Sequence, residues 1–220
     1  MTNSIDGRKI GHQFTIYHGH PSPNALEKCR EVAPGVNYGA EWSPAKMTDH
    51  DWPYILDNGA FAAYKHGYPW DATAFVNRLR EVTERMPREP DFVVLPDVVT
   101  NAEATTERAT TWAEYLEDEF RTAFPIQDGH EIEKIAPLAA DLNCTALFIG
   151  GTIEWKQRHG ADIVEAAHEH DLHCHIGRPG DLCWAREIGA DSVDTTSIVT
   201  DQNWDRLRQF SEQQTLEMKK

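Results

Sequence analysis

The chain has 220 residues, of which 40% are hydrophobic and 26% are charged, a composition typical of a globular domain with a sizeable core. No apolar run reaches the roughly 20 residues of a membrane span, and the first residues lack the basic and apolar segments of a signal peptide, so we expect a cytoplasmic protein. The formal net charge of -15 argues against binding to a phosphate backbone and is typical of an ordinary acidic enzyme or of a halophilic protein from a salt-rich cytoplasm.

Short apolar segments alternate with helical stretches along the chain. The predicted strands cover residues 14–17, 36–38, 54–57, 92–97, 123–127, 146–150, 172–176 and 192–195. The predicted helices cover residues 24–32, 72–86, 102–120, 131–142, 153–170, 179–188 and 203–214. Strands that alternate with helices form parallel βαβ units, and eight strands predict a closed barrel.

We therefore predict an α/β fold, a compact (β/α)8 TIM-like barrel that forms a single domain over residues 1–213. Residues 214–220 are predicted to form a flexible tail, and residues 41–51, which include Pro44, a loop. The second βα unit has the weakest pattern, which leaves a doubly wound open sheet as the alternative.

Polar residues follow the predicted strands, where a parallel barrel gathers its functional groups. Asp57, Asp97 and Asp194 end the third, fourth and eighth strands. Each of them alone is equally well interpreted as a helix N-cap. Three at one rim predict a catalytic cavity, and two carboxylates suit chemistry at an anomeric carbon, one as the nucleophile and one as the general acid/base.

Two further features of this rim favour a flat, polar ligand. Asp97 and Gln127 suit hydrogen bonds with the edge of a purine, since one accepts and the other both donates and accepts. Gly150 and Gly151 follow the sixth strand and allow backbone N–H groups to approach a ligand closely.

The segments that carry these residues resemble a known family. ILDNGAF is similar to the aspartate-bearing DSGGYQ-type motif of the tRNA-guanine transglycosylases, and LPD, PIQDG, FIGG and GADSVDTTS resemble that family's later motifs in the same order. The resemblance spans residues 54–197. It implies a pentosyltransferase that replaces guanine in nucleic acid with a 7-deazaguanine through a covalent glycosyl-aspartate, without a metal or a redox cofactor.

The resemblance also implies roles for individual residues. Asp194 matches the nucleophile, and Asp57 matches the general acid/base. The residues that would bind the base are Asn58, Phe61, Asp97, Gln127, Gly150, Gly151, Ile176 and Gly177. Phe61 and Ile176 would stack on its two faces, with core packing as the alternative for both. Lys156, Arg158 and Arg178 are candidates for contacts with phosphate, or simply solvated helix charges.

The sequence departs from the tRNA enzymes in two respects. It has no Cys-x-Cys-x-x-Cys zinc subdomain at its C-terminus, and Thr-Thr-Ser follows Asp194 where those enzymes have a proline-arginine stretch. It is therefore most similar to the compact paralogues of bacteria, phages and viruses that place 7-deazaguanines in DNA. We expect DNA rather than tRNA as the acceptor, a base such as preQ0 as the incoming group, and a homodimer or a partner protein as open alternatives.

Two other functions compete with this interpretation. His18 and His20 after the first strand, with His130 and Asp194, resemble the zinc ligands of an amidohydrolase barrel. The four cysteines form no CxxC pair, which favours reduced thiols. A non-catalytic barrel that only binds deazapurines is the second alternative. His173 and His175 share one face of the seventh strand and are interpreted as hydrogen-bonded barrel histidines.

Overall fold

The barrel is closed by eight parallel strands. The computed structural model describes residues 14–19, 21–42, 52–116 and 118–217. Each strand pairs with the next, and β8 returns to β1. The strands are β1 (Thr15–Gly19), β2 (Asn37–Trp42), β3 (Tyr54–Leu56), β4 (Val93–Val94), β5 (Thr122–Ile126), β6 (Ala146–Ile149), β7 (His173–Ile176) and β8 (Ser192–Thr195). The prediction of a single-domain (β/α)8 barrel is confirmed.

Helices surround the barrel. They are α1 (Pro23–Val32), α2 (Ala60–His66), α3 (Ala72–Arg85), α4 (Ala102–Leu116), α5 (Ile132–Asp141), α6 (Ile153–Glu169), α7 (Leu182–Glu187), α8 (Ser197–Thr200) and α9 (Trp204–Glu217). Side-chain caps fix where several begin: Asp71 accepts a hydrogen bond from the backbone N–H of Ala74 at 3.0 Å, and Thr152 accepts one from that of Trp155 at 3.3 Å. Such caps fix the first turns of α3 and α6.

Side chains alternate between the inside of the barrel and the helical layer. The inner cluster consists of Tyr17, Ile55, Phe92, Val94, Ala123 and Ala146, with Phe148 packed against it. The larger outer cluster, which includes Ile16, Leu56 and Ile176, lies between strands and helices. Both clusters are apolar, so the barrel is a packed core that opens only at its ends.

The same alternation brings three carboxylates to the carboxyl-terminal end of the barrel, which we call the mouth. Asp57 lies two residues beyond the inward-facing Ile55. Asp194 pairs in register with the inward-facing Tyr17, and Glu41 pairs with Gly19 two residues further along β1. All three carboxylates therefore point inward near the strand ends.

The structure differs from the prediction in several elements. The strand predicted at 92–97 is reduced to Val93–Val94, and the helix predicted at 102–120 ends at Leu116. The strand predicted at 36–38 continues to Trp42, so Glu41 belongs to β2 and not to a loop, and residues 43–51 lie outside the described residues. The short helices α2 and α8 were not predicted, because each follows a rim turn directly and spans only seven or four residues. Helix α9 reaches Glu217 and takes in part of the predicted tail, of which residues 218–220 are not described. Among the described residues, no helix is long and apolar enough to cross a membrane.

Candidate active site

None of the three strand-end aspartates is a helix N-cap. Gly59 and Thr196 hold the N-cap positions of α2 and α8. At the start of α4 the side chain of Asn101 accepts the hydrogen bond from the backbone N–H of Ala104 at 3.0 Å. The capping interpretation therefore fails for Asp57, Asp97 and Asp194, and their carboxylates are left for another role.

Asp194 is held by hydrogen bonds inside the mouth. Its side chain is 2% exposed. Its Oδ1 atom accepts hydrogen bonds from Nε2 of His175 at 3.1 Å and from the backbone N–H of Arg178 at 3.2 Å. Hydrogen bonds to the charged form favour that form, so these donors offset the cost of burying the carboxylate.

Asp57 and Glu41 face Asp194, and among the described residues neither accepts a comparable pair of hydrogen bonds. Burial raises the pKa of each carboxyl group, the negative charge of Asp194 raises it further, and Arg178 opposes part of the rise. One backbone N–H, that of Gly59 at 3.3 Å, donates to Oδ2 of Asp57. Both groups therefore retain a proton at pH values at which an ordinary carboxylic acid has lost it.

Asp97 lies in an amide network beside the mouth. Nδ2 of Asn58 donates to Oδ1 of Asp97 at 3.0 Å, and Nε2 of Gln127 donates to Oδ2. The backbone N–H of Ala60 donates to the amide oxygen of Asn58 at 2.7 Å, and that of Thr100 donates to the amide oxygen of Gln127 at 2.7 Å. Both amides are thereby fixed with their nitrogen atoms towards Asp97. Burial and the charge of Asp57 raise the pKa of Asp97 to about 6, against the hydrogen bond from Asn58. The network brings three of the predicted base-binding residues together.

Of the two residues predicted to stack on the faces of the base, only Phe61 lies at the mouth. Phe61 lies at the rim, 41% exposed, with the Arg178 guanidinium 3.9 Å from its ring centroid. Ile176 is fully buried in the outer cluster, and its neighbour His175 points inward. Ile176 therefore faces the helices and not the mouth, which corrects its predicted role in stacking on a base.

The rim glycines have mainly structural explanations. A Cβ atom at Gly177 would lie 2.8 Å from the ring of Phe148, so this strand end requires glycine for packing. Gly151 has a φ of 81°, and Gly150 donates its backbone N–H to the carbonyl of Ile126 at 2.8 Å. These glycines shape the β6 and β7 ends of the mouth.

The three predicted phosphate contacts have different surroundings. Lys156 is 4% exposed, and its ammonium group donates to the carbonyl oxygens of Gly177 at 2.6 Å and Arg178 at 3.1 Å. Burial lowers its pKa to about 8. Lys156 thus supports the turn that carries Arg178 and is not a surface cation, which corrects its predicted role. Arg158 is exposed on α6, and Arg178 lies at the rim.

The histidines proposed as metal ligands do not converge. His18 is fully buried on the outer side of β1, with Nε2 3.5 Å from Sγ of Cys29 and its ring stacked on Tyr38. His130 contacts Gln127 and Thr106, and His20 lies outside the described residues. Within the described ranges, no group of three or more His, Cys, Asp or Glu side chains could hold a metal ion.

Two contributors to the site were missed at the sequence level. Glu41 was placed in a loop, because its position in β2 depends on the pairing of that strand with its neighbours. His175 was interpreted only as a barrel histidine, whereas its Nε2 atom contacts the carboxylate of Asp194. The period-two pattern indicates which residues of a strand share a face, and strand pairing determines which face points inward.

No protein-family model and no curated protein sequence matches the chain. Solved structures match its fold. A chain of the tryptophan synthase complex from Pyrococcus furiosus has a TM-score of 0.52 at 12% identity, covering 91% of this chain and 95% of that chain. A proposed dihydrodipicolinate synthetase from Pseudomonas aeruginosa has a TM-score of 0.53 at 13% identity, covering 92% of this chain and 81% of that chain. The tryptophan synthase alpha chain from Legionella pneumophila has a TM-score of 0.50 at 11% identity, covering 91% of this chain and 91% of that chain. At these identities the likeness shows the barrel fold alone.

Proposed function

We propose that this barrel is a base-exchange transglycosylase that replaces guanine in nucleic acid with a 7-deazaguanine such as preQ0. The observation that carries the proposal is the unequal state of two carboxyl groups in one mouth. Asp194 receives two hydrogen bonds of the kind that stabilise an anion, whereas burial and the charge of Asp194 raise the pKa of Asp57 above its ordinary value. A nucleophile and a proton donor at one site are the requirement for displacement at an anomeric carbon.

In the first half-reaction the target nucleoside leaves its stack and enters the mouth, at a cost of a few kcal/mol. A carboxylate oxygen of Asp194 bonds to C1′ as the C1′–N9 bond breaks, and the electron pair of that bond leaves with guanine. The proton of Asp57 neutralises the departing base. The product is a glycosyl ester on Asp194 and an ionised Asp57.

In the second half-reaction N9 of the incoming 7-deazaguanine attacks C1′, and its proton passes to the Asp57 carboxylate. The ester bond breaks, and its electron pair restores the Asp194 anion. Two inversions at C1′ give net retention, and the protein returns to its starting protonation state. Protons and electrons balance over the cycle without a cofactor.

The amide network supports recognition of a guanine-like edge. Asp97 can accept hydrogen bonds from the N1–H and amino groups of such a base, and the two amides that donate to Asp97 hold its carboxylate in place. The rim aromatic Phe61 supports stacking on the base. Gly150, Gly151 and Gly177 belong to the proposal as the residues that follow β6 and β7 at the mouth.

The surface around α2 supports an approach by nucleic acid through its bases. Phe61 and Tyr64, which are 41% and 56% exposed, lie three residues apart on one side of α2. Tyr68, which is 70% exposed, follows the C-cap Gly67. Base stacking on aromatic rings does not require the basic surface that a net charge of -15 denies to this protein. We propose DNA as the acceptor.

A labelled-base exchange assay tests the proposal. Purified protein is incubated at high salt with radiolabelled guanine or preQ0 and either duplex DNA or tRNA, with and without a chelator. We expect label in DNA, unaffected by the chelator and absent with Asp194→Asn. Label in tRNA alone would support the base-exchange reaction and show that the proposal of DNA as the acceptor is wrong. No label in either polymer would overturn the transglycosylase, and about one zinc per chain in that sample would favour the hydrolase.

A further inference from the structure

A chain of hydrogen bonds runs from the mouth into the centre of the barrel. His175 is fully buried, with Nε2 3.1 Å from Oδ1 of Asp194 and Nδ1 2.8 Å from Oγ of Ser192. Oγ of Ser192 in turn lies 2.6 Å from Nε2 of His173. The chain joins inward-facing residues of β7 and β8 and ends on the carboxylate of Asp194.

With Asp194 ionised and His175 neutral, the acceptor at the end of the chain determines the direction of every bond in it. An ionised carboxylate only accepts hydrogen bonds, so Nε2 of His175 must carry a hydrogen. Nδ1 of a neutral His175 is then an acceptor, which requires Ser192 to donate its hydroxyl hydrogen. The Ser192 oxygen is left to accept from Nε2–H of His173. All three bonds therefore point towards Asp194.

Aromatic rings hold the His175 imidazole in this orientation. Its ring stacks on Phe148 at a centroid distance of 4.9 Å and an interplanar angle of 17°. Phe92 and Tyr17 pack against it at 5.5 and 5.8 Å. The hydroxyl of Tyr17 donates to Asp91 at 2.7 Å, and burial raises the pKa of Tyr17, so this neighbour stays neutral. The imidazole is fixed by packing as well as by hydrogen bonds.

The two oxygens of Asp194 are consequently unequal. Oδ1 receives both the His175 ring hydrogen and the backbone N–H of Arg178. No side chain or backbone group in the described part of the chain donates a hydrogen bond to Oδ2. Accepting two hydrogen bonds lowers the nucleophilicity of Oδ1 and fixes the plane of the carboxylate, whereas the lone pairs of Oδ2 stay free.

We propose that His175 is a positioning residue that turns Asp194 so that Oδ2 attacks the anomeric carbon, and that Ser192 and His173 keep His175 in the tautomer this requires. The inference rests on the proposed function of Asp194. Ordering one oxygen by a group that never touches the substrate accounts for three polar side chains inside an otherwise apolar barrel.

Single-turnover formation of the glycosyl-enzyme tests the role of His175. We expect His175→Leu to slow it about 10²-fold, as a misplaced reactive group does, with an unchanged dissociation constant for guanine. His175→Gln keeps an amide donor near the position of Nε2 and should recover a rate within about 10-fold of the wild type. Ser192→Ala removes the donor that sets the tautomer and should cost about 10-fold. His170→Gln, an exposed histidine at the end of α6, is the matched control.

Nitrogen-15 NMR of histidine-labelled wild-type protein supplies a readout that needs neither activity nor a foldable variant. We expect His175 to show a protonated Nε2 and an unprotonated Nδ1. The opposite tautomer, or a wild-type rate of adduct formation in His175→Leu, would overturn the inference while leaving the transglycosylase intact. If the wild-type protein exchanges no base, the proposed function fails and the role of Oδ2 fails with it, whatever tautomer His175 adopts.

Discussion

The two ends of the barrel use carboxylates in opposite ways. At the amino-terminal end, Asp91 accepts hydrogen bonds from the Tyr17 hydroxyl at 2.7 Å and from the Arg88 guanidinium at 3.2 Å. At the mouth, Asp57 and Glu41 face Asp194, and Arg178, one of the cations near them, lies over the Phe61 ring. A paired carboxylate fixes structure, whereas carboxylates that face one another raise the energy of the folded state and are retained for chemistry.

A cavity of about 460 Å³ opens at the amino-terminal end beside Tyr17, Arg30 and Asp91. Its carboxylate already has partners, and residues at this end of a (β/α)8 barrel generally serve stability. The mouth holds the carboxyl groups with raised pKa values, so we place the chemistry there.

The largest effect should come from removing the proton donor of the mouth. Asp57→Asn keeps the size of the side chain but cannot protonate guanine, and we expect adduct formation to slow by about 10²–10⁴-fold. The wild-type rate should fall as the pH rises through the raised pKa of Asp57, because the acid is then ionised. Single-turnover rates against pH measure this, and an unchanged falling limb in Asp57→Asn would assign it to another group.

A smaller effect is expected from the rim. Phe61→Ala should weaken binding of single-stranded DNA by about 1–3 kcal/mol if bases stack on this side of α2. Tyr115→Ala is the matched control, since Tyr115 is 62% exposed near the end of α4, away from the mouth. Fluorescence anisotropy at high salt measures both variants. Equal affinities for the two would show that the rim aromatics do not bind the substrate.

A substitution at the amino-terminal end of the barrel should change the stability of the protein and not its activity. Asp91→Asn removes the ion pair with Arg88 and weakens the acceptor of the Tyr17 hydroxyl. We expect the free energy of unfolding to fall by about 1–2 kcal/mol, with the exchange rate unchanged. Urea denaturation and the exchange assay on one preparation test both parts, and a lost exchange rate in a folded variant would contradict the contrast between the ends.

The smallest effect is on stability at the mouth. There, removing a carboxyl group should raise the free energy of unfolding, whereas Asp91→Asn should lower it. Because the folded state raises the pKa of Asp57, it binds more protons than the unfolded chain, and the free energy of unfolding falls as the pH rises from the ordinary carboxyl range through the raised value. Asp57→Asn removes this penalty. We expect a melting temperature a few degrees above wild type at pH 8 and no gain at pH 4. A gain of the same size at both pH values would exclude charge as its cause.

The sequence predicted the barrel well because the pattern that defines it is local. Apolar strands of four or five residues and capped helices such as α6 are visible in short windows. The same windows identified Asp57, Asp97, Gln127 and Asp194 as strand-end residues. Glu41 was missed because its place depends on the pairing of β2 with β1 and β3, which is not a local property.

The direction in which a side chain points was the second feature that the sequence could not predict. Ile176 and His175 are adjacent, and only the register of β7 with β8 determines which of them faces inward. Lys156 resembles any helix cation in the sequence, and its burial arises from the β7 end folding over it. Such assignments depend on contacts between elements, so residue type and spacing alone could not supply them.

The most direct test of the central claim is to locate the covalent bond. The protein is incubated with guanine-containing DNA without an incoming base, quenched, digested and mapped by mass spectrometry. The account predicts a glycosyl adduct on the peptide that contains Asp194, absent in Asp194→Asn and discharged by adding preQ0. Base exchange that proceeds in Asp194→Asn, or an adduct on Asp57 or Glu41 instead, would contradict it.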